Sequence, residues 1–270
     1  MRVAVVGGTG MLGALVVETL VGRGHEAHVL SRHAPTRMRT STYRRVDLAS
    51  GEGLPEALSG VEAVIDASNV ARPGRRARSV LVDGTGRLLR AEAEVGVVHH
   101  VLISIIGIER VPFSYYRVKL EQERALAESR VPVSVVRSTQ FHQLLDRVFE
   151  SAARFGVLPA GQIALQPVDA HEVAEVLVSA LEQGPWRERR EVAGPEVLPL
   201  SALARSWSAA TRRRRLPVPA PLVGKVGRAL RDGALTDPEA QRGALTFARW
   251  LSRRNIEEPT ADVKAGGTGR

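Results

Sequence analysis

Short apolar, β-branched runs alternate with longer amphipathic stretches from residue 1 to about residue 140. This rhythm is typical of a parallel sheet whose strands are joined by crossover helices. It predicts strands at Val3–Val6, Glu26–Leu30, Tyr43–Val46, Ala63–Ala67, His100–Ser104 and Val133–Arg137, and helices near residues 11–22, 54–59, 75–95 and 114–129. The predicted fold class is α/β with a doubly wound parallel sheet, which binds ligands at the carboxyl ends of its strands.

The pattern beyond residue 140 is less regular. It predicts a helix near 142–154, a strand at 163–168, a helix at 170–183, a strand at 190–193, and then helices interrupted by Pro217, Pro219, Pro221 and Pro238. We therefore predict three regions: a dinucleotide-binding core at 1–140, a continuation of the fold with a smaller, mostly helical substrate lobe at 141–256, and a disordered polar tail at 257–270.

Composition narrows the classes of function. The chain has no cysteine, which excludes disulfides, thiolate metal sites and cysteine nucleophiles, and no metal site is predicted. Its apolar runs are shorter than the roughly 18 residues that a membrane-spanning helix needs, and it opens on a strand-like run rather than a signal peptide. We expect a cytoplasmic protein, monomer or homodimer, that acts on a small molecule and has no membrane partner.

The net charge of +9 is concentrated near the C-terminus. Residues 187–270 hold 17 Lys and Arg against 9 Asp and Glu, and the densest element is Arg212–Arg215. This excess fits either a solvated arginine-rich surface or a site for an acidic partner or substrate. Nucleic acid is not favoured, because no helix-turn-helix pattern accompanies the charge.

A glycine-rich loop stands between the first predicted strand and the first predicted helix. The spacing of its glycines suits a tight turn, a close approach of backbone amides to a pyrophosphate, and close packing of helix on strand. It predicts a Rossmann-type dinucleotide site formed by Gly7, Thr9, Gly10, Met11, Leu12 and Gly13.

The residues that follow the next strands indicate which dinucleotide binds. An NAD enzyme usually places an acid after strand two to hold the ribose 2′-hydroxyl, whereas this chain has Arg32, which can pair with a 2′-phosphate. We therefore predict NADP, with NADPH preferred over NADH. Asp47 and Leu48 are predicted to border the adenine, and Ala67 and Ser68 the ribose and nicotinamide.

Ser104 ends the fifth predicted strand, and Tyr115 and Lys119 follow in the run SYYRVKLEQE. Positions i and i+4 lie on one face of a helix, so the ammonium of Lys119 is predicted to lower the pKa of Tyr115 toward neutrality. The phenol would then serve as a general acid for a carbonyl oxygen that receives a hydride. Lys119 is also a candidate to hold the nicotinamide ribose.

These motifs together resemble the short-chain dehydrogenase/reductase superfamily, and within it the atypical NmrA-like and isoflavone-reductase-like proteins. The resemblance covers about residues 1–180, including PVDAHEVAEVL, where Asp169 caps a helix. It implies a Rossmann fold, a preference for NADPH, and an active-site triad of Ser104, Tyr115 and Lys119. Two departures stand out: the asparagine usual in the family is not firmly matched by Asn69, and Tyr116 competes with Tyr115.

Gln140, Phe141 and His142 follow the sixth predicted strand, where they either line a substrate pocket or pack in the core. The reaction expected from all these features is reduction of a carbonyl, quinone or enone by NAD(P)H. Two alternatives stay open: a non-catalytic NADP(H)-binding redox sensor, and an isomerase or epimerase that uses the dinucleotide transiently.

Overall fold

The computed structural model describes residues 1–35, 41–70, 74–186, 189–220 and 222–257. Pro221 and all but the first residue of the predicted tail lie outside the described residues. Within the described ranges, no helix is both long enough and apolar enough to cross a lipid bilayer.

The first half contains every strand and helix that the pattern predicts, with boundaries shifted by at most two residues. The strands are β1 (Arg2–Val6), β2 (Glu26–Ser31), β3 (Thr42–Arg45), β4 (Ala63–Asp66), β5 (His99–Ile105) and β6 (Val133–Ser138). The helices are α1 (Met11–Gly22), α2 (Leu54–Leu58), α3 (Arg75–Arg78), α4 (Gly84–Val95) and α5 (Ser114–Ala127). A π-helical turn at Ser79–Asp83 joins α3 to α4, so the helix predicted at 75–95 is built in three parts.

The second half adds shorter strands and five helices to the described structure. The strands are β7 (Val157–Ala160), β8 (Ala164–Leu165), β9 (Arg190–Ala193), β10 (Leu198–Pro199), β11 (Leu216–Pro219) and β12 (Gln241–Arg242). The helices are α6 (His142–Ala153), α7 (Ala170–Glu182), α8 (Leu200–Thr211), α9 (Gly224–Arg231) and α10 (Phe247–Glu257).

Eight strands form a sheet in the order β12-β9-β6-β5-β4-β1-β2-β3. All of its neighbouring strands run parallel. From β1, the strands β2 and β3 follow on one side of the sheet, and β4, β5 and β6 follow on the other side. The winding direction therefore reverses between β1 and β4. This confirms the doubly wound α/β class and marks the carboxyl ends of β1 and β4 as the ligand-binding crevice.

Apolar side chains cover both faces of this sheet. One face packs on α1 and α7 through residues such as Val16 and Leu177, and the other packs on α2 and α4 through residues such as Leu58 and Leu88. A separate core joins α6, α8, α9 and α10 and includes the buried side chain of Trp207. The strands β9 and β12 belong to the main sheet, and α7 packs on its face. Elements from beyond residue 140 therefore complete this core. The domain boundary predicted at residue 140 stays a prediction.

The prolines near residue 217 do not interrupt a helix as predicted. Pro217 and Pro219 lie in β11, which runs parallel to β7. The amides of Leu216 and Ala220 donate to Gly156 and Ala160, so the prolines occupy the alternate positions, where no amide is needed by the ladder. The strand predicted at 163–168 is likewise reduced to β8, which pairs with β10.

Candidate functional site

The loop from Gly7 to Gly13 joins β1 to α1 at the point where the winding reverses. Gly7 has a φ of +72°, and a Cβ there would lie 2.9 Å from the carbonyl oxygen of Ala67 at the end of β4. A Cβ on Gly13 would collide with the carbonyl oxygen of Gly7. Larger side chains at these two positions would therefore push α1 away from β1 and β4.

The N-terminus of α1 offers free backbone amides. Its N-cap, Gly10, supplies no side-chain cap, and the first turn contains no acid. Among the described residues, no acceptor binds the amides of Met11 and Leu12. A Cβ on Gly10 would touch Gly7 at 3.1 Å and otherwise point into open space. Amides at a helix N-terminus with no cap and no acid form an anion site, and this cradle fits a pyrophosphate.

The other predicted cofactor residues lie around this loop in different environments. Arg32 is exposed directly after β2 and makes no hydrogen bond or ion pair to any described residue. Asp47 is half-buried and accepts a hydrogen bond from the amide of Ala49 at 2.9 Å. Leu48 is buried in the core of the sheet. Thus Arg32 is free for a ligand, while Asp47 and Leu48 build the turn after β3.

Two buried hydroxyls mark the carboxyl ends of β4 and β5. The register pairs Asp66 with Leu102, so Ser68 and Ser104 follow at the same level on neighbouring strands. Ser68 is 8% exposed and Ser104 is 1% exposed, and neither Oγ has a hydrogen-bond partner among the described residues. Because an unpaired buried hydroxyl is costly, both positions suit groups that bond a ligand.

Tyr115 lies in the first turn of α5, and its side chain is half-buried. Its hydroxyl donates a hydrogen bond to Oδ1 of Asn69 at 2.7 Å. The fold therefore places Tyr115 against Asn69, the residue that the sequence alone did not firmly match to the asparagine usual in the family.

The environment of Tyr115 overturns one prediction. Burial raises the pKa of Tyr115 to about 12, and the neighbouring Tyr116 adds to this effect, whereas the sequence predicted a pKa lowered toward neutrality. The reason is the direction of Lys119, whose ammonium is bound elsewhere.

Lys119 is the centre of a buried polar network under the site. Its Nζ donates to the carbonyl oxygen of Ile103 at 3.0 Å and to Oε1 of Gln122. Gln122 in turn donates through Nε2 to Oγ1 of Thr85 at 3.0 Å and to Oδ2 of Asp66 at 3.3 Å. Burial lowers the pKa of Lys119 to about 8. The sequence analysis missed Gln122 and Thr85, although Gln122 lies three residues after Lys119 on the same helix face.

The three residues predicted either to line a substrate pocket or to pack in the core make contacts within the protein. His142 is fully buried and bonds the carbonyl oxygen of Leu245 through Nε2 at 2.8 Å. Gln140 donates to the carbonyl oxygen of Leu235 at 3.1 Å, and Phe141 packs against the main core. This position of His142 favours packing over the pocket role.

Metal binding is not indicated by the described residues, in which no three His, Asp or Glu side chains are grouped as metal ligands.

Comparison with known proteins identifies a family and several relatives. Residues 7–184 match the family described as NAD(P)H-binding. An uncharacterised protein of Mycobacterium tuberculosis is 28% identical over 235 residues, which are 84% of this chain and 25% of that protein. The chain thus spans about a quarter of the length of this curated relative.

Two solved structures show the same fold over nearly the whole chain. A nucleoside-diphosphate-sugar epimerase from Staphylococcus aureus superposes with a TM-score of 0.75 at 17% identity, covering 93% of this chain and 100% of that one. An NADPH-dependent quinone oxidoreductase from Escherichia coli superposes with a TM-score of 0.73 at 18% identity, covering 93% and 99%. At these identities the likeness establishes the architecture.

Proposed function

Since the chain belongs to the NAD(P)H-binding family, we propose that it is an atypical short-chain reductase that reduces a carbonyl, quinone or enone group of a small molecule with NADPH. The family membership confirms the resemblance seen in the sequence. The observation that carries the proposal is the hydrogen bond between Tyr115 and Asn69. It lies at the carboxyl edge of the sheet, the same edge at which the glycine loop and the unpaired hydroxyl of Ser104 are found.

The proposed cofactor contacts follow from the free donors of the site. The amides of Met11 and Leu12 would bind the pyrophosphate, and Arg32 the 2′-phosphate that distinguishes NADP from NAD. Ser68 would bond the ribose or nicotinamide with its unpaired Oγ. The Escherichia coli protein, an NADPH-dependent quinone oxidoreductase of the same fold, supports this choice of cofactor and substrate class.

A protonated Tyr115 suits the reductive direction. A dinucleotide held by the glycine loop would supply a hydride for the carbon of the substrate's C=O group, which would leave the negative charge on the oxygen. With a pKa of about 12, the phenol of Tyr115 carries its proton at neutral pH and can give it to that more basic oxygen. Ser104 would donate a hydrogen bond to the same oxygen, and water would reprotonate Tyr115 after product release.

In this proposal Lys119 binds the cofactor rather than the substrate. An ammonium has three donors, of which two are bound to Ile103 and Gln122. The third would reach a hydroxyl of the nicotinamide ribose, while the network below keeps the side chain in place.

The epimerase alternative is favoured by the likeness to the Staphylococcus aureus nucleoside-diphosphate-sugar epimerase. Such a reaction begins with removal of a proton from a hydroxyl, so Tyr115 would have to act as a base. A phenol whose pKa is raised to about 12 is a poor base at neutral pH, which is why we favour reduction.

Replacement of Tyr115 by Phe tests the proposed proton donor. We expect turnover to fall roughly 100-fold or more, as for loss of a general acid, while the Kd for NADPH stays nearly the same. The measurement is steady-state NADPH oxidation with an accepted substrate, together with a binding titration.

Tyr116→Phe is the matched control, because Tyr116 is also half-buried but packs against Phe113, with ring centroids 5.4 Å apart. It should retain most of the activity. A fully active Tyr115→Phe variant would rule out the assigned role.

A further inference from the structure

Helix α6 and the turn after it carry an exposed apolar row. Leu144 and Val148 in α6 are 48% and 43% exposed, and Phe155, two residues after the end of the helix, is 82% exposed. The inner face of the same helix carries Leu145 and Phe149, which are buried in the core of α6, α8, α9 and α10. Large apolar side chains exposed along one helix and the turn after it are typical of an interaction surface.

An arginine loop, Arg212–Arg215, is fixed against the end of this helix. Arg212 has a φ of +53°, in the left-handed region. The side chain of Arg215 donates from Nε to the carbonyl oxygen of Ala153 at 2.9 Å, and the amide of Leu216 donates to Gly156 at 3.0 Å. Leu216 is itself 66% exposed. The loop and the apolar row therefore form one surface.

Positive charge dominates this surface. The exposed arginines of α6 and the loop are Arg147, Arg154, Arg212, Arg213, Arg214 and Arg215. The acids in the same segments are Asp146, which is buried in an ion pair with Arg254, and Glu150, which lies 4.0 Å from Arg213. Among the described residues, the side chains of Arg212 and Arg214 have no partner. Most of this charge is thus free for an external ligand.

We infer that this surface docks on an anionic lipid bilayer. Arginines flanking exposed apolar side chains are the pattern of interfacial elements, in which cations bind lipid phosphates and apolar groups enter the headgroup–acyl boundary. A nucleic acid would match the arginines but would leave Leu144, Val148 and Leu216 without an apolar environment. The inference goes beyond the sequence-based expectation of no membrane partner, which rested on the absence of spanning segments. It gives a role to Arg212–Arg215, the densest element of the basic C-terminal region.

Vesicle sedimentation tests the inference with the full chain. We expect binding to phosphatidylcholine vesicles that contain phosphatidylglycerol, little binding to phosphatidylcholine alone, and release at high salt. Absence of binding to the anionic vesicles would overturn the inference.

Paired variants separate the two parts of the surface. Arg212→Gln/Arg214→Gln should lower the partition onto anionic vesicles roughly 25-fold, at about fivefold per arginine, and Phe155→Ser should lower it further. The matched controls are Arg90→Gln/Arg124→Gln, which remove two exposed arginines of α4 and α5, and Val98→Ser, which removes another exposed apolar side chain.

The controls should bind like the wild type, and NADPH affinity should be unchanged throughout. An equal loss of vesicle binding in the control variants would mean that any exposed arginine contributes through its charge alone. That result would overturn the inference. The inference also fails if Phe155→Ser has no effect and duplex DNA displaces the protein from the vesicles, because that result indicates a nucleic-acid partner.

Discussion

At the scale of single residues, the choice of cofactor depends on the side chain directly after β2. Arg32 is exposed, and its side chain makes no hydrogen bond or ion pair with the described part of the chain, so its guanidinium is available to a ligand. A guanidinium binds phosphate with paired, charge-assisted hydrogen bonds, whereas the ribose 2′-hydroxyl of NAD offers no charge. The preference for NADPH should therefore reside in this one side chain.

Arg32→Ser tests that assignment. We expect the Kd for NADPH to rise roughly 10- to 100-fold, because hydrogen bonds to charged groups contribute about 1.5 to 3 kcal/mol, and the Kd for NADH to change little. Titration with both dinucleotides, followed by quenching of tryptophan fluorescence, gives both constants. Arg90→Ser, an exposed arginine on α4, serves as the control; an equal loss of affinity for both cofactors would argue against a 2′-phosphate site.

At the scale of elements, β1, the glycine loop and α1 act as one unit. Gly13 packs directly on the carbonyl of Gly7, and Gly7 packs on the carbonyl of Ala67. This packing sets the position of the helix N-terminus above the strand ends. Cofactor binding and the local stability of the sheet therefore depend on the same contacts.

Gly13→Ala should damage both properties. Its new methyl group would collide with the Gly7 carbonyl, so we expect a loss of about 1 to 3 kcal/mol in the free energy of unfolding, as for other overpacked sites, and weaker NADPH binding. Gly22→Ala, at the other end of α1, is the matched control because its added Cβ meets nothing within 4 Å. Urea unfolding measures the difference, and equal stability of the two variants would show that the loop is not packed in this way.

The elements also show which parts of the fold could be predicted from the sequence pattern. The buried strand β1 is a continuous apolar run after Arg2, and α1 begins at the glycine loop, so the local pattern was sufficient for both. The strands β7 and β11 were not predicted, because each is stabilised by the other across the fold rather than by its own pattern. For Lys119 the helical spacing was correct, yet the direction of the ammonium depends on Gln122 and the Ile103 carbonyl, which are tertiary contacts.

At the scale of the whole molecule, the C-terminal segments close over the carboxyl edge of the sheet. Gly107, just after β5, has no room for a Cβ because the carbonyl of Ala234 lies against it. Gln140 bonds Leu235 and His142 bonds Leu245. Residues between α9 and α10 are therefore fixed next to the strand ends, where we expect the wall of the substrate site.

Net NADPH consumption by the purified chain tests the proposed reductase activity most directly. Absorbance of NADPH should be followed with a panel of quinones, aldehydes and enones, after NADPH binding has been measured. We predict tight NADPH binding and stoichiometric oxidation with at least one class of acceptor. Tight binding without oxidation across the panel would contradict a reductase and favour a redox sensor, and product formation without net consumption of NADPH would favour an epimerase.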